Sequence, residues 1–326
     1  MTSSVRSDLD RLAASWQEIV ENDAEPHPDR PVSPADAFFL YRLLLGRNPD
    51  RRQELPAICS SGQSYSDFLE SVLRSPEFKQ ARQLLPANQL LMAELADFRF
   101  WFNTSDREMG VAMAFGLYEP ATVQLVKDLL RPGFNCLDIG AQTGFFTCLM
   151  AAGVGARGRV HSFEPMPASF DLLRRNVREN RFEARVQCHQ VAASDRATTL
   201  HGVKVSNMYV IGDVHDGQPV AIRAVPIGDI VDDPIDLIKL DVEGHEPAVL
   251  RGLTRLLEMR RPVIVTEANE YWLRTGSGSS TIDYIAWLGS LGYRVYDIER
   301  RRTALNGSRL DVDDLSVLNL VAFPSE

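Results

Sequence analysis

From about residue 120 the chain alternates short apolar runs with amphipathic helical segments, and few folds accept that alternation. The runs are FNCLDIG (134–140), RVHSFEP (159–165), RVQCHQVAA (185–193), DLIKLDV (236–242) and PVIVTEA (262–268). Between them lie helical segments such as ASFDLLRRNVREN (168–180) and PAVLRGLTRLLEM (247–259). Apolar runs of this kind belong to strands buried on both faces, and the helices joining them cover those faces. The expectation is an α/β fold with a doubly wound, mostly parallel sheet. GYRVYDIE (292–299) and LSVLNLVAFP (315–324) leave no room between them for a long crossover helix, so they predict an antiparallel C-terminal edge.

The first third of the chain reads differently. Residues 7–20 place Leu9, Leu12, Trp16, Ile19 and Val20 at helical spacing. ENDAEPHPDRPV (21–32) has the composition of a linker, and Ser33 then caps a helix with Pro34 in its first turn, running to Gly46. Over YSDFLESVLRS (65–75), Phe68, Leu69, Val72 and Leu73 share one helical face. The pattern predicts a small all-helical N-terminal module over 1–97 and a larger α/β domain over 98–326.

Composition narrows the setting. No apolar stretch approaches a membrane span, and MTSSVRSDLDRLAASW lacks the basic and hydrophobic regions of a secretory signal. Cys59, Cys136, Cys148 and Cys188 are scattered without C-x-x-C spacing, which fits reduced thiols in a cytoplasm. A net charge of −9 argues against a nucleic-acid partner.

Parallel sheets bind ligands beyond the carboxyl ends of their strands. The first tip carries Asp138, Gly140 and Gly144, where glycines permit close backbone approach. Gln142 stands where a G-x-G-x-x-G dinucleotide fingerprint needs its middle glycine, which disfavours a nicotinamide oxidoreductase. An ordinary strand–turn–helix corner is the alternative. The second tip carries Glu164, an acid able to accept two hydrogen bonds from the vicinal hydroxyls of a ribose. Ala193, Ser194 and Asp195 at the third tip could border an adenine, although Ser-Asp is also common in turns. The fourth tip crowds Asp241, Glu243, His245 and Glu246 together, and the fifth adds Glu267, Asn269 and Glu270. Such crowding needs a cation, a substrate proton or solvent to relieve it.

These motifs, taken in order, resemble the FkbM-type methyltransferases. The matching stretches are G-L-Y-E-P (116–120), L-D-I-G-A-x-T-G (137–144), V-H-S-F-E-P (160–165), L-x-R-N (173–176), D-L-I-K-L-D-V-E-G-H-E (236–246) and V-T-E (265–267). The resemblance implies a class I methyltransferase (Rossmann-like) fold with a seven-stranded sheet. It further implies S-adenosylmethionine as cofactor and O-methylation of a hydroxyl on a sugar, glycan or polyketide-type product. On this reading Asp138, Gly140 and Gly144 surround the methionine end of the cofactor, Ala141 and Asp241 also bind the cofactor, and Tyr118 and Glu119 close over the methionine portion. Glu164 would bind the ribose, with Ala193 and Ser194 at the adenine. Gln142 replaces a frequent Asn, a mild departure. L-Y-R-x-L-L-G-R-x-P-D (40–50) followed by S-P-E-F (75–78) is similar to a small helical module found beside glycan-related enzymes.

An alcohol acceptor needs its proton removed or its pKa lowered. His245 is one candidate base, balanced against a plain helix N-terminal role. Asp241 and Glu267 would orient it or bind substrate hydroxyls. Alternatively Asp241, Glu267 and Asn269 could hold Mg²⁺, a reading less favoured than no metal. Strand alternation puts Lys239 on the same face as Asp241, as an ion pair, and Glu246 before Pro247 reads as a helix cap. The rival to an enzyme is a non-catalytic cofactor-binding scaffold recruited through the N-terminal helices. Those helices could equally serve a homodimer or a biosynthetic partner.

Overall fold

The computed structural model describes residues 31, 32, 34, 37, 41, 49, 50, 52–77, 88–106, 109–114, 116, 118–205, 208–211, 220–299 and 317–325. The expected helix at 7–20, most of the 21–32 linker, most of the helix after Ser33 and Phe78 of S-P-E-F lie outside them. Helix α2 (Tyr65–Arg74) forms where the pattern predicts it, preceded by a short helix α1 (Glu54–Ser60) that the pattern does not mark. Ser64 caps α2 by accepting from Asp67 N at 3.1 Å. Val32, Ala37, Ile58, Phe68 and Val72 make a small core of their own.

Strands β1 (Leu90–Glu94) and β2 (Arg99–Asn103) form an antiparallel hairpin, Leu90 opposite Asn103 and Glu94 opposite Arg99. This corrects the expected all-helical stretch up to residue 97: the 97/98 boundary falls in the hairpin turn. The reason lies in β2, where Phe100 and Phe102 alternate inward and are buried. Their burial belongs to the α/β domain. Helices α3 (Gly110–Ala114) and α4 (Pro120–Leu129) follow and lead into β3 (Asn135–Ile139).

From there the chain runs α5 (Phe145–Val154), β4 (Arg159–Phe163), α6 (Pro167–Glu179) and β5 (Val186–His189). The expected strand at 185–193 then breaks, because β6 (Ala192–Ala193) leaves for a second sheet with β7 (Thr198–Val205), β8 (Met208–Ile211) and β9 (Val220–Val225). The main sheet resumes with β10 (Leu237–Leu240), α7 (Glu246–Gly252), α8 (Thr254–Arg260), β11 (Val263–Asn269), α9 (Glu270–Trp272), α10 (Thr281–Ser290), β12 (Tyr293–Asp297) and β13 (Val317–Pro324).

The main sheet has seven strands in the order β12-β13-β11-β10-β3-β4-β5. β11, β10, β3, β4 and β5 pair in parallel, whereas β13 runs antiparallel to both β11 and β12. The antiparallel strand therefore sits one place in from the edge, and β12 is the edge. Strand order reverses between β3 and β10, the switch point beyond which sheets of this kind bind ligands, and a crevice lies there.

Alternation along the strands sorts side chains between two cores. Cys136, Leu237, Val263 and Val265 face the core shared with α4, α5 and α6. Leu137, Ile139, Ile238, Leu240 and Ile264 face the one shared with α7, α8 and α10. By the same period of two, Asp138, Lys239, Asp241 and Glu267 project on the α5 side.

Candidate active site

Asp138, one residue before the end of β3, is a buried acid whose carboxylate accepts from Thr147 Oγ1 at 2.5 Å. Burial pushes its pKa up to about 6 against that hydrogen bond. Gly140 follows at φ 83°, and a Cβ there would lie 1.8 Å from the carbonyl oxygen of Asp241. Only glycine lets the β3 and β10 tips approach so closely.

Every backbone N–H from Gly140 to Gly144 is already donated inside the protein. Gly140 and Ala141 both donate to Phe163 O at 3.0 Å, and Gly144 donates to Ala141 O at 2.8 Å. Gln142 N donates to Glu164 Oε2 at 2.9 Å, and Thr143 N to Gln142 Oε1 at 3.2 Å. The turn has no N–H left to cradle a phosphate. Met166 N donates to the other carboxylate oxygen of Glu164 at 2.8 Å. Glu164 is thus fixed at both oxygens, and each keeps a lone pair free. Burial pushes its pKa up to about 7 against these two bonds.

Asn176, of the L-x-R-N stretch, ties the turn to the hairpin. Its amide accepts from Trp101 N at 2.6 Å and donates to Trp101 O at 3.1 Å and Thr143 O at 2.8 Å. Edge-to-face rings continue the fastening from Phe98 and Phe100 through Phe145 to Tyr118. The aromatic stretch 98–106 therefore serves mainly as core and positions Tyr118.

At the other end of the crevice, Glu119, Asp241 and Glu267 bring carboxylate oxygens within 4.8 Å of one another. Glu119 caps α4 from the left-handed region, at φ 39°, a conformation that costs free energy in a non-glycine residue. Its Oε2 is buried with no hydrogen-bond partner. Lys239 Nζ stands 3.1 Å from Asp241 Oδ2, the ion pair expected from alternation. Burial opposes the Lys239 charge, but Asp241, Glu119 and Glu267 outweigh it and hold the ammonium above its ordinary range. Burial, followed by the charge of Asp241, holds Glu267 well above the usual carboxylate range. Asn269 lines the crevice, but its Oδ1 accepts from Trp272 N at 3.2 Å and so caps α9 rather than joining this cluster.

His245 is turned elsewhere. Its Nε2 pairs with Ser194 Oγ at 3.1 Å, and the charges acting on it are Asp195 and Arg251, not Asp241 or Glu267. Burial lowers its pKa below the ordinary histidine value, which favours the neutral ring. Glu246 accepts from Val242 N at 2.9 Å and Gly244 N at 3.3 Å, which fastens its own loop. Glu243, at φ 52°, lines the crevice, and burial pushes its pKa up to about 8. Glu270 is spent structurally, on Arg274 and on Thr281 N.

The crevice encloses about 390 Å³. It gathers Tyr118, Glu119, Asp138, Gly140, Ala141, Glu164, Ala193, Asp241, His245, Glu267 and Asn269 from the residues expected by sequence. Gly144 and Ser194 stand behind the wall. Gly144 meets Leu173, where a Cβ would lie 2.6 Å from Cδ1. Sequence reasoning missed Met109, Met113, Phe146, Ile222 and Asn319. Only Asn319 carried a signal, as an inward polar residue in an apolar strand, and it pairs across from Glu267.

A seven-stranded sheet of this order, its penultimate strand reversed and an acid-lined crevice at its switch point, defines the class I methyltransferase fold. The family model for the methyltransferase FkbM domain matches residues 138–295. Residues 138–295 are thus similar to an FkbM-type methyltransferase domain. It is 29% identical to the 31-O-demethyl-FK506 methyltransferase FkbM of Streptomyces tacrolimicus, over 38% of this chain and 61% of that protein. A shorter match, 38% identical, joins 18% of this chain to 19% of protein-L-isoaspartate O-methyltransferase 2 of Arabidopsis thaliana. The chain thus spans less than two thirds of either relative. Among solved structures, methyltransferase FkbM of Methylobacillus flagellatus superposes with a TM-score of 0.40 at 17% identity, over 83% of this chain and 66% of that one. Superposition that loose leaves the chemistry to the residues themselves.

Proposed function

We propose that the protein is an S-adenosylmethionine-dependent O-methyltransferase. The observation carrying this reading is the pairing of a glycine turn whose N–H groups are all used internally with a crevice wall made of carboxylates. A dinucleotide needs free N–H groups for its pyrophosphate, and this turn offers none. Glu119, Asp138, Glu164, Asp241, Glu243 and Glu267 line the crevice against one lysine, a field suited to a cationic ligand.

Bound S-adenosylmethionine supplies a methyl group activated on a sulfonium. Glu164, anchored by Gln142 N and Met166 N, presents its remaining lone pairs to the ribose hydroxyls. Glu119, with its unpartnered Oε2, and Asp241 receive the ammonium of the methionine end, under Tyr118. Ala193 borders the adenine, and Ser194 with His245 supports that wall. A cation in the crevice lowers the raised carboxyl groups again. Glu267 is then ionised and placed to take the proton of an acceptor hydroxyl, with Asn319 opposite it in the sheet. This assigns the base to Glu267 rather than to His245.

The acceptor we infer is a hydroxyl of a sugar, glycan or polyketide-type product, in the cytoplasm. The mixed wall supports this, since Met109, Met113 and Val317 are apolar while Asn269, Asn319 and Glu243 are polar. Relatives named as O-methyltransferases support oxygen as the acceptor atom. The N-terminal helices fit a docking role toward a second copy or a biosynthetic partner. Calorimetric titration with S-adenosylhomocysteine tests the cofactor. Micromolar binding, weakened by Asp138→Ala and Glu164→Ala, is expected, and no binding by folded protein refutes the reading. Transfer of labelled methyl to hydroxylated sugars then tests the acceptor.

A further inference from the structure

Three carboxylates gathered within 4.8 Å, Asp241 and Glu267 at adjacent strands and Glu119 at the N-cap of α4, are a common way to hold a divalent ion. Among the described residues no other group of three such ligands is so close. Here a side chain of the protein already pairs with one of them, Asp241, and its charge acts on the other two. Lys239 lies inside β10, 2% exposed, on the face that alternation assigns to Asp241 and Glu267. Its register partners are Asp138 on β3 and Val265 on β11, so the ammonium rises from the middle of the sheet beneath the cluster. Nζ reaches Asp241 Oδ2 at 3.1 Å and lies 5.0 Å from the centre of the Phe146 ring, whose face also favours a cation. The other charges acting on it are those of Glu119 and Glu267.

We propose that Lys239 is a built-in substitute for a divalent metal: its ammonium holds Glu119, Asp241 and Glu267 together, and the intact protein binds no metal there. A lysine cannot dissociate, so the cluster stays assembled without an ion. It also carries one charge where a divalent ion carries two, which leaves net negative charge for a cationic ligand. Lys239 is a positioning residue in this scheme, because it acts through the carboxylates.

Removing its charge should turn the cluster into a metal site. The test measures uptake of Mn²⁺ alone, by loss of the free-ion electron paramagnetic resonance signal. It compares wild type, Lys239→Met, Lys239→Gln, Asp241→Asn and the Lys239→Met/Asp241→Asn pair. The expected result is equal, weak uptake by wild type and Asp241→Asn, with one ion per chain taken up by Lys239→Met at least about tenfold more tightly. The double variant should lose that gain. If Lys239→Met unfolds without metal, recovery of its far-UV dichroism on adding Mn²⁺ supports the substitution. Tight wild-type uptake that Asp241→Asn abolishes overturns it. So does a folded Lys239→Met or Lys239→Gln chain with no gain, or failure of both variants to recover with Mn²⁺. Because no cofactor or acceptor takes part, the outcome is independent of whether the protein transfers methyl groups.

Discussion

Replacing Glu164 by Gln probes the crevice most directly. Its carboxylate accepts from Gln142 N at 2.9 Å and Met166 N at 2.8 Å, one bond per oxygen. A glutamine keeps the shape but turns one acceptor into an NH₂ donor. That group then confronts a backbone N–H, and one ribose hydroxyl loses the charged partner it donates to. Hydrogen bonds to charged groups contribute about 1.5–3 kcal/mol each. Losing one such bond should weaken S-adenosylhomocysteine binding by about 2–3 kcal/mol, or roughly 30- to 150-fold. The pH dependence has a definite sign. Burial places the free-protein pKa of Glu164 at about 7, and two hydroxyl donors favour the ionised form. Ligand must therefore displace a proton below that pH. Wild-type affinity should fall by about tenfold from pH 8 to pH 6, while Glu164→Gln should flatten, retaining only the slope from Asp138, whose pKa is about 6. Calorimetry at pH 6, 7 and 8, with a melting curve to confirm folding, reads both effects. A folded variant within threefold of wild type, with an unchanged pH slope, would refute the ribose assignment.

Other substitutions separate architecture from chemistry. Asn176→Ala strands Trp101 N and Thr143 O in the interior; a loss of about 2–4 kcal/mol in denaturant unfolding is expected, together with weaker cofactor binding. Gly140→Ala forces a Cβ to 1.8 Å from Asp241 O, so the strand tips must separate, and a lower Tm with no measurable S-adenosylhomocysteine binding should follow. Glu267→Gln should cut kcat for methyl transfer by about 10²- to 10⁴-fold and leave S-adenosylhomocysteine affinity within a few-fold. His245→Asn should instead raise the cofactor KM and leave the pH profile of kcat in place; loss of the acid-side limb would restore the histidine as base.

Much of this molecule is legible in its sequence. Doubly covered parallel strands have near-continuous apolar sequences, so FNCLDIG, RVHSFEP, DLIKLDV and PVIVTEA announced β3, β4, β10 and β11 together with the acids at their tips. The period of two also placed Lys239 beside Asp241. Both are local rules, in which a residue's neighbours in sequence decide its face.

What the sequence could not determine depends on which segments meet. Phe100 and Phe102 look like any aromatic cluster until β2 is packed on α5, and that packing moved the hairpin 90–103 into the α/β domain. The run 185–193 has the continuous composition of one strand, yet pairing with β9 draws Ala192 and Ala193 into another sheet. His245 follows Asp241 closely in the chain, but the left-handed turn at Glu243 and Gly244 carries it away to Ser194. Glu119 is far from Asp241 in sequence and joins it only because α4 covers that face of the sheet. Strand and helix patterns are set by short-range chemistry. The gathering of Glu119, Lys239, Asp241 and Glu267 required long-range packing, and no short window of sequence records it.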